Sequence, residues 1–310
     1  MSETGFKTSN PSIRIGTRRS ALALIQTRLV ADELRQACPG LNVEIVTRDT
    51  LGDRILDKSL QEFGGKGVFV SEFEEAIQKG VIDLAVHSAK DLPMELAKGL
   101  VIGAVSVRED PRDVLVTVKG RSPEPGSRVR LGTSSPRRQL LAGLMQNKLW
   151  PMAGGLECLT LRGNVQTRLG KLEEGLYDGI ILAAAGLKRL GLLEHAGYSF
   201  TFLAPEEFIP AGGQGLMAVE AKAGSEAASL CRSIDHPEGR LSLELERSVL
   251  KLLDAGCHEP IGIYSVPEDG QMEVWGISRR KGAVKNVHLT GGISREEIER
   301  LALEAGKGLM

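Results

Sequence analysis

Apolar residues fall into two rhythms along the first 230 positions. Short runs rich in branched residues, SIRIGT (12–17), NVEIVT (42–47) and IDLAVHS (82–88), have the length and make-up of buried strands. ALALIQTRLVADELRQA (21–37) repeats its apolar positions at helical spacing and stops before Pro39-Gly40. SEFEEAIQKG (71–80) opens with Ser71 and Glu74 at capping-box spacing and closes on Gly80. DVLVTV (113–118), RVRLGT (128–133), LECLTL (156–161) and DGIILAAAG (178–186) continue the strand series. Strands alternating with helices at this spacing predict parallel sheets covered by helices.

A faint echo runs through this region. RIGTRRSALAL (14–24) is similar to RLGTSSPRRQLL (130–141), each a strand, a Gly-Thr turn and a helix start with paired arginines. It points to two α/β domains of similar design. The pattern then changes. LSLELERSVLKLLDAG (241–256) reads as a helix, PIGIYSVPEDGQMEVWGIS (260–278) as a hairpin about Pro267–Gly270, and VKNVHLTG (284–291) as a third strand. Ser294 and Glu297 then cap REEIERLALEAGKGL (295–309). This predicts a small α+β domain with a three-stranded antiparallel sheet.

Composition narrows the functional classes. The chain has 310 residues, 42% hydrophobic and 25% charged, which is ordinary for a globular protein with room for several domains. A net charge of −1 gives no basic character for nucleic acid, so any cationic patch is local. No apolar run reaches the length of a membrane span, and MSETGFKTSNPS (1–12) has no apolar signal core, so a cytoplasmic protein is expected. Cys38, Cys158, Cys231 and Cys257 form no CxxC pair, which predicts reduced thiols and no zinc site.

The arginines recur where strands end: Arg18 and Arg19, Arg137 and Arg138, Arg162 and Arg168, and Arg189. Ligands of open α/β sheets bind outside the carboxyl ends of strands, beside helix N-termini such as the one marked by Ser135 and Pro136. Guanidiniums there suit a ligand with several acidic groups. HSAKDLP (87–93) closes an apolar strand with Lys90 and Asp91. Asp91 is a candidate acid, base or stabiliser of positive charge; a solvated Lys90–Asp91 pair is the plain alternative. FGGKGVFV (63–70) lacks the spacing of a nucleotide-phosphate loop and suits either a lid or a simple connection. Cys257, in GCHEPIG (256–262), stands in a polar loop. A nucleophile paired with adjacent His258 meets poor geometry, and a metal site lacks partners. An exposed thiol holding a covalent adduct and an inert core thiol both stand.

Taken together, RIGTRRSALAL, GGKGVFV, AVHSAKDLP, REDPRD, GTSSPRRQ, LRGNVQTRL, ILAAAGLKRLG, PAGGQGLMAVE and GCHEPIG resemble the porphobilinogen deaminase (hydroxymethylbilane synthase) family, in order and along nearly the whole chain. The resemblance implies two periplasmic-binding-protein-like α/β domains and the small third domain. Domain 1 would span 1–107 and 206–229, domain 2 would span 108–205, and domain 3 would span 230–310. It implies a transferase that joins porphobilinogen units head to tail with loss of ammonia, giving hydroxymethylbilane. A dipyrromethane cofactor would be attached to Cys257 through a thioether.

By motif position, Asp91 would be catalytic, facing the electron-poor azafulvene left when ammonia departs. Lys90, Thr133, Ser134, Ser135, Arg137, Arg138, Arg162 and Arg168 would hold the cofactor. Arg18, Ser20, Arg162 and Arg189 would hold the substrate, and Lys66 and Phe69 would belong to a lid. A monomer that hands its product to uroporphyrinogen-III synthase is expected, with no metal, nucleic acid or membrane. Pro136, Ala255, His258 and Glu259 depart from the commoner family pattern. The rival readings are a solute-binding protein on the same two-lobed fold and a Cys-His hydrolase or transferase.

Overall fold

The structure, a computed structural model, describes residues 11–48, 70–255, 259–280 and 282–310. The first stretch of chain builds β1 (Ser12–Arg18), α1 (Ala21–Ala37), β2 (Asn42–Arg48), α2 (Ser71–Gln78), β3 (Leu84–Ser88) and β4 (Leu100–Val105). Residues 106–112 lead to β5 (Asp113–Val118) and β6 (Arg128–Gly132), then α3 (Pro136–Leu144) and α4 (Gln146–Leu149). β7 (Gly155–Leu159), α5 (Val165–Glu173), β8 (Gly179–Ala183), α6 (Ala184–Arg189) and β9 (Tyr198–Leu203) follow, and β10 (Met217–Lys222) then returns to the first sheet.

The two five-stranded sheets share one plan, β2-β1-β3-β10-β4 and β7-β6-β8-β5-β9. In each, the fourth strand comes directly from the other sheet and runs antiparallel to both neighbours. The sheets are therefore mixed, not parallel throughout as strand–helix alternation predicts. A strand that enters without a helical crossover is free to run in the opposite direction.

The echo between the two halves extends to side chains. Arg14 donates to Asp83 from its backbone N–H at 2.8 Å and from Nη2 at 2.9 Å. Arg130 does the same to Asp178 at 2.7 and 2.8 Å. Each aspartate N–H donates back to its arginine's carbonyl at 2.8 Å. Gly16 and Gly132 follow on the paired strands. A Cβ at Gly16 would lie 2.4 Å from Ile82, and one at Gly132 would lie 2.8 Å from Tyr177, so both positions need glycine for close packing.

After α7 (Glu226–Cys231) and α8 (Pro237–Leu252), β11 (Ile261–Glu268), β12 (Gln271–Arg280) and β13 (Ala283–Gly292) form an antiparallel sheet, and α9 (Arg295–Leu309) ends the chain. Asp269 and Gly270, with φ of 49° and 77°, make the left-handed two-residue turn between β11 and β12. Leu245, Val249, Leu301 and Ala305 of α8 and α9 pack against Ile263 and Val274 on one face of this sheet. Tyr264 and Ile277 join Leu140, Phe208 and Ile209 in a core shared with the second half.

Several local expectations change in the folded chain. Ser71 lies inside α2, which begins after Val70 without a side-chain cap, and Glu74 accepts instead from the Ala97 N–H at 2.8 Å. The run 178–186 stops being a strand at Ala183 and continues as α6, because its alanines favour helix once they leave the sheet. α8 starts at Pro237, earlier than the leucine pattern indicates, with the His236 ring accepting from the Gly239 N–H at 3.3 Å. β4 (LVIGAV) and β9 (YSFTFL) carry strand-forming residues that the sequence expectations omit, whereas β10 (MAVEAK) carries no strong strand signature. β10 even contains Glu220, which is fully buried and 3.0 Å from His87 Nε2. Among the described residues no helix is long and apolar enough to cross a membrane.

Glu246 of α8 joins all three parts of the fold. Its Oε1 accepts from Arg108 Nη2 at 2.7 Å and from the Ser265 N–H at 2.8 Å. Its Oε2 accepts from the Gly213 N–H at 2.6 Å. The carboxylate is fully buried, so its loss strands the Arg108 guanidinium. Glu246→Ala is expected to cost about 3–5 kcal/mol, the usual effect of breaking a buried pair from one side. A denaturant titration followed by far-UV circular dichroism would read this as a lower midpoint.

Candidate active site

β3 ends at Ser88 and the chain turns tightly through Ala89–Asp91. The Ala89 N–H donates to the Leu216 carbonyl at 3.0 Å, which fixes the turn against the segment leading into β10. Gly213, at φ 77°, lies so close that a Cβ there would be 3.0 Å from the Lys90 nitrogen. Lys90 Nζ donates to Gln214 Oε1 at 3.3 Å. Gln214, itself buried, donates from Nε2 to Asp113 Oδ1 at 3.2 Å and to the Pro111 carbonyl at 2.7 Å. One chain of hydrogen bonds thus runs from the Asp91 turn to the first residue of β5.

Asp113 is fully buried between two arginines. Arg137 Nη1 donates to its Oδ2 at 2.7 Å, and Arg138 donates to its Oδ1 from Nη2 at 2.7 Å and Nε at 3.1 Å. The Ile209 and Ile181 carbonyls accept one further bond from each guanidinium, at 2.8 and 2.7 Å. Burial pushes the Asp113 carboxyl up, and the charges and hydrogen bonds of the two arginines more than reverse this, holding it well below the usual carboxylate range. Sequence reasoning took Arg137 and Arg138 as grips for an external carboxylate. In the fold they hold an internal one, and Asp113 and Gln214 went unread. The available signal was an acid opening an otherwise apolar strand, DVLVTV.

Around this buried core the cations outnumber the anions. Desolvation lowers the Lys90 ammonium to about 8, with Asp91 opposing the shift and Arg138 adding to it. Desolvation also lowers Arg168 to about 10; Arg138 and Arg162 push the same way and Asp91 against. Lys90, Asp91, Arg138, Arg162 and Arg168 therefore feel one another's charge. Arg168 Nε donates to the Gly163 carbonyl at 2.8 Å, and Asp91 is exposed at the surface of the cluster.

The hydroxyls of the Thr133–Ser135 turn shape it. Ser134 Oγ donates to the Leu161 carbonyl at 3.0 Å and accepts from the Leu161 N–H at 3.1 Å. Thr133 Oγ1 accepts from the Ser135 N–H at 3.2 Å, and Ser135 caps α3 at the Arg138 N–H. On the other half, Arg18 ends β1 and Ser20 caps α1 by accepting from the Ala23 N–H at 3.3 Å. α1 meets α6 there, with Leu22 3.6 Å from where a Cβ on Gly186 would be. Arg189, at the end of α6, donates to the Gly215 carbonyl at 2.8 Å. Lys66, Phe69 and Cys257 lie outside the described residues. A concavity of about 520 Å³, lined by Pro136, Gln139, Leu144, Pro260 and Arg279, opens between α3 and the flank of the Cys257 loop, away from Asp91.

Residues 13–229 match the family model described as porphobilinogen deaminase, dipyromethane cofactor binding domain. The chain belongs to the porphobilinogen deaminase family. The porphobilinogen deaminase of Alkaliphilus metalliredigens is 44% identical over 269 residues, covering 86% of this chain and 82% of the relative. That of Acetivibrio thermocellus is 40% identical over 299 residues, covering 96% and 98%. Among solved structures, the periplasmic VFT2 domain of BvgS from Bordetella pertussis is 16% identical, with a TM-score of 0.42 over 77% of this chain and 93% of its own.

The family's dipyrromethane carries an acetate and a propionate on each ring. The desolvated cations Lys90 and Arg168, with Arg162 beside them, fit such a polyanion, because among the described residues Asp91 only partly offsets the cost of their burial.

Two outcomes follow from these charges. Asp113 has a depressed folded pKa, so its stabilisation is full above the unfolded value and is lost as pH falls through about 4 and below. Asp113→Asn is expected to cost about 3–5 kcal/mol at pH 7 and to flatten the acid limb of stability against pH. Lys90 is charged below about 8, so carboxylate binding should weaken as pH rises through that value. Lys90→Arg keeps its charge and should remove the decline, read by calorimetry as the affinity of apoprotein for a free carboxylated dipyrrole against pH.

Proposed function

We propose that this chain performs the family reaction, joining porphobilinogen units into hydroxymethylbilane, at the Asp91 turn, with the surrounding cations as its grip on the acidic side chains. The supporting observation is the excess of partly desolvated positive charge about one exposed carboxylate. Lys90, Arg162 and Arg168 hold acetate and propionate groups. Arg137 and Arg138, fixed by Asp113, form the rigid floor beneath them and add positive potential. Arg18 at the end of β1, Ser20 at the start of α1 and Arg189 at the end of α6 receive the incoming monomer, while Thr133, Ser134 and Ser135 present the turn at the start of α3.

The dipyrromethane, held through Cys257, supplies the ring carbon from which the chain grows. The ammonium of the incoming porphobilinogen would leave as ammonia when its carbon–nitrogen bond breaks, and the Asp91 carboxylate would face the cation left on that ring. As the new carbon–carbon bond forms, Asp91 would accept the ring proton that is lost and hand it to the released ammonia or to water. Residues 1–107 with 206–229, 108–205 and 230–310 act as three domains, with Lys66 and Phe69 in a lid. The chain works as a cytoplasmic monomer and passes its unstable linear product to a ring-closing synthase.

Asp91→Asn is expected to lower turnover by about 10²–10⁴-fold with the cofactor still attached, while His258→Ala stays within a few-fold. Intact mass and peptide mapping report the dipyrrole on Cys257, and steady-state assays report turnover. Loss of activity in the His258 variant with retention in the Asp91 variant would reverse the assignment of roles.

A further inference from the structure

α8 lays one face along the chain that leaves the Asp91 turn. Leu243, Arg247 and Lys251 recur at helical spacing, so they stand above one another on the helix. Leu243 belongs to one buried cluster with Ala89 and Leu92. Arg247 Nη2 donates to the carbonyls of Pro93 at 2.7 Å and Met94 at 2.9 Å. Lys251 Nζ lies 3.6 Å from Glu95 Oε1. Each turn of the helix thus meets the next stretch of chain after Asp91.

The middle contact is costly to the fold. Arg247 is half-buried, burial lowers the pKa of its guanidinium, and among the described residues no ion pair opposes this. Its Nη1 is shielded from solvent and has no hydrogen-bond partner among those residues. An apolar side chain would cover the same surface without burying a charge. It would not fix two successive carbonyls. Pro93 has no N–H, so its carbonyl is its one backbone handle. The turn depends on such a hold. The exposed Asp91 carboxylate takes no hydrogen bond from the described residues, so the backbone on either side sets its place. Before it, the Ala89 N–H donates to the Leu216 carbonyl at 3.0 Å. After it come buried Leu92 and the two carbonyls held by Arg247.

We infer that Arg247 is a positioning residue: by holding the Pro93 and Met94 carbonyls it fixes the turn that carries Asp91. The inference rests on the proposed role of Asp91 in the condensation. Arg247 acts through the backbone and takes no part in gripping the acidic side chains of the monomer. Lys90 keeps its own hold on Gln214. Loss of Arg247 therefore slows turnover and leaves substrate affinity in place.

The test uses the full-length holoenzyme. The proteins are the unvaried chain, Arg247→Met, Arg247→Lys, Asp91→Asn, and Arg247→Met combined with Asp91→Asn. Intact mass reports the bound dipyrrole, a thermal scan the midpoint, and steady-state assays kcat and KM for porphobilinogen. Arg247→Met should keep the dipyrrole and lower kcat about tenfold or more, as a small misplacement of a reacting group does. Its KM should stay within about threefold, and its midpoint within about 4 °C. The combined variant should be no slower than Asp91→Asn alone, because Arg247 acts only through Asp91. A general weakening of the fold would multiply the two losses instead. Should Arg247→Met not fold, Arg247→Lys, whose single amine replaces the planar fork, takes its place in the same comparison. An unchanged kcat, a loss confined to KM, or multiplied losses in the combined variant overturns the inference and leaves the reading of Asp91 intact. Undiminished turnover in Asp91→Asn overturns that reading and this inference with it.

Discussion

A carboxylate that cannot reach water governs this molecule. Asp113 begins the strand that enters the second sheet, and two guanidiniums from the first turn of α3 close on it. Burying one anion is costly, and burying two cations is costlier still. The three are tolerable only together, with one further N–H of each guanidinium directed to a backbone carbonyl. The arrangement locks strand, helix and crossing segment into one geometry. Through Gln214 it also reaches the Asp91 turn on the opposite sheet. The turn that carries Asp91 is thus tied, through Lys90 and Gln214, to a buried carboxylate at the start of β5.

The same arrangement explains why the remaining positive charge is available. With Arg137 and Arg138 occupied, one net charge of the trio is left over, and Lys90, Arg162 and Arg168 add to it. Desolvation lowers Lys90 and Arg168, and among the described residues the opposing charge of Asp91 offsets this only in part. A site that keeps its cations uncomfortable gains from a polyanionic ligand what it lacks alone. Glu246 plays a parallel part farther out, where Arg108, Gly213 and Ser265 converge on one buried acid.

Much of the outline was legible in the chain. β1, β2, β5 and the β11–β12 hairpin announce themselves through branched apolar runs and the Asp269-Gly270 turn, because local propensity and burial agree there. β10 does not, since Met217–Lys222 mixes small residues with a buried glutamate whose partner, His87, is 133 positions away. The paired arginines were visible as chemistry, but their direction was not. Whether a guanidinium faces a ligand or an internal acid depends on how β5, which opens with Asp113 24 positions before Arg137, is set beside α3. Ser71 shows the same limit at short range: the capping spacing is present, yet Glu74 finds a better donor in Ala97.

The two sheets are built to one plan, down to Arg14 with Asp83 and Arg130 with Asp178. Counting on by the same interval from each aspartate reaches Asp91 in one half and Gly186 in the other. The scaffold is nearly symmetric, and its chemistry is not. A polymer lying between two equivalent halves would meet the same groups at both ends and could extend either way. At the equivalent position one half carries an exposed acid in a short turn after β3, and the other carries a glycine inside α6 that packs beside Leu22. The two halves are thus alike as scaffolds and unequal as chemistry.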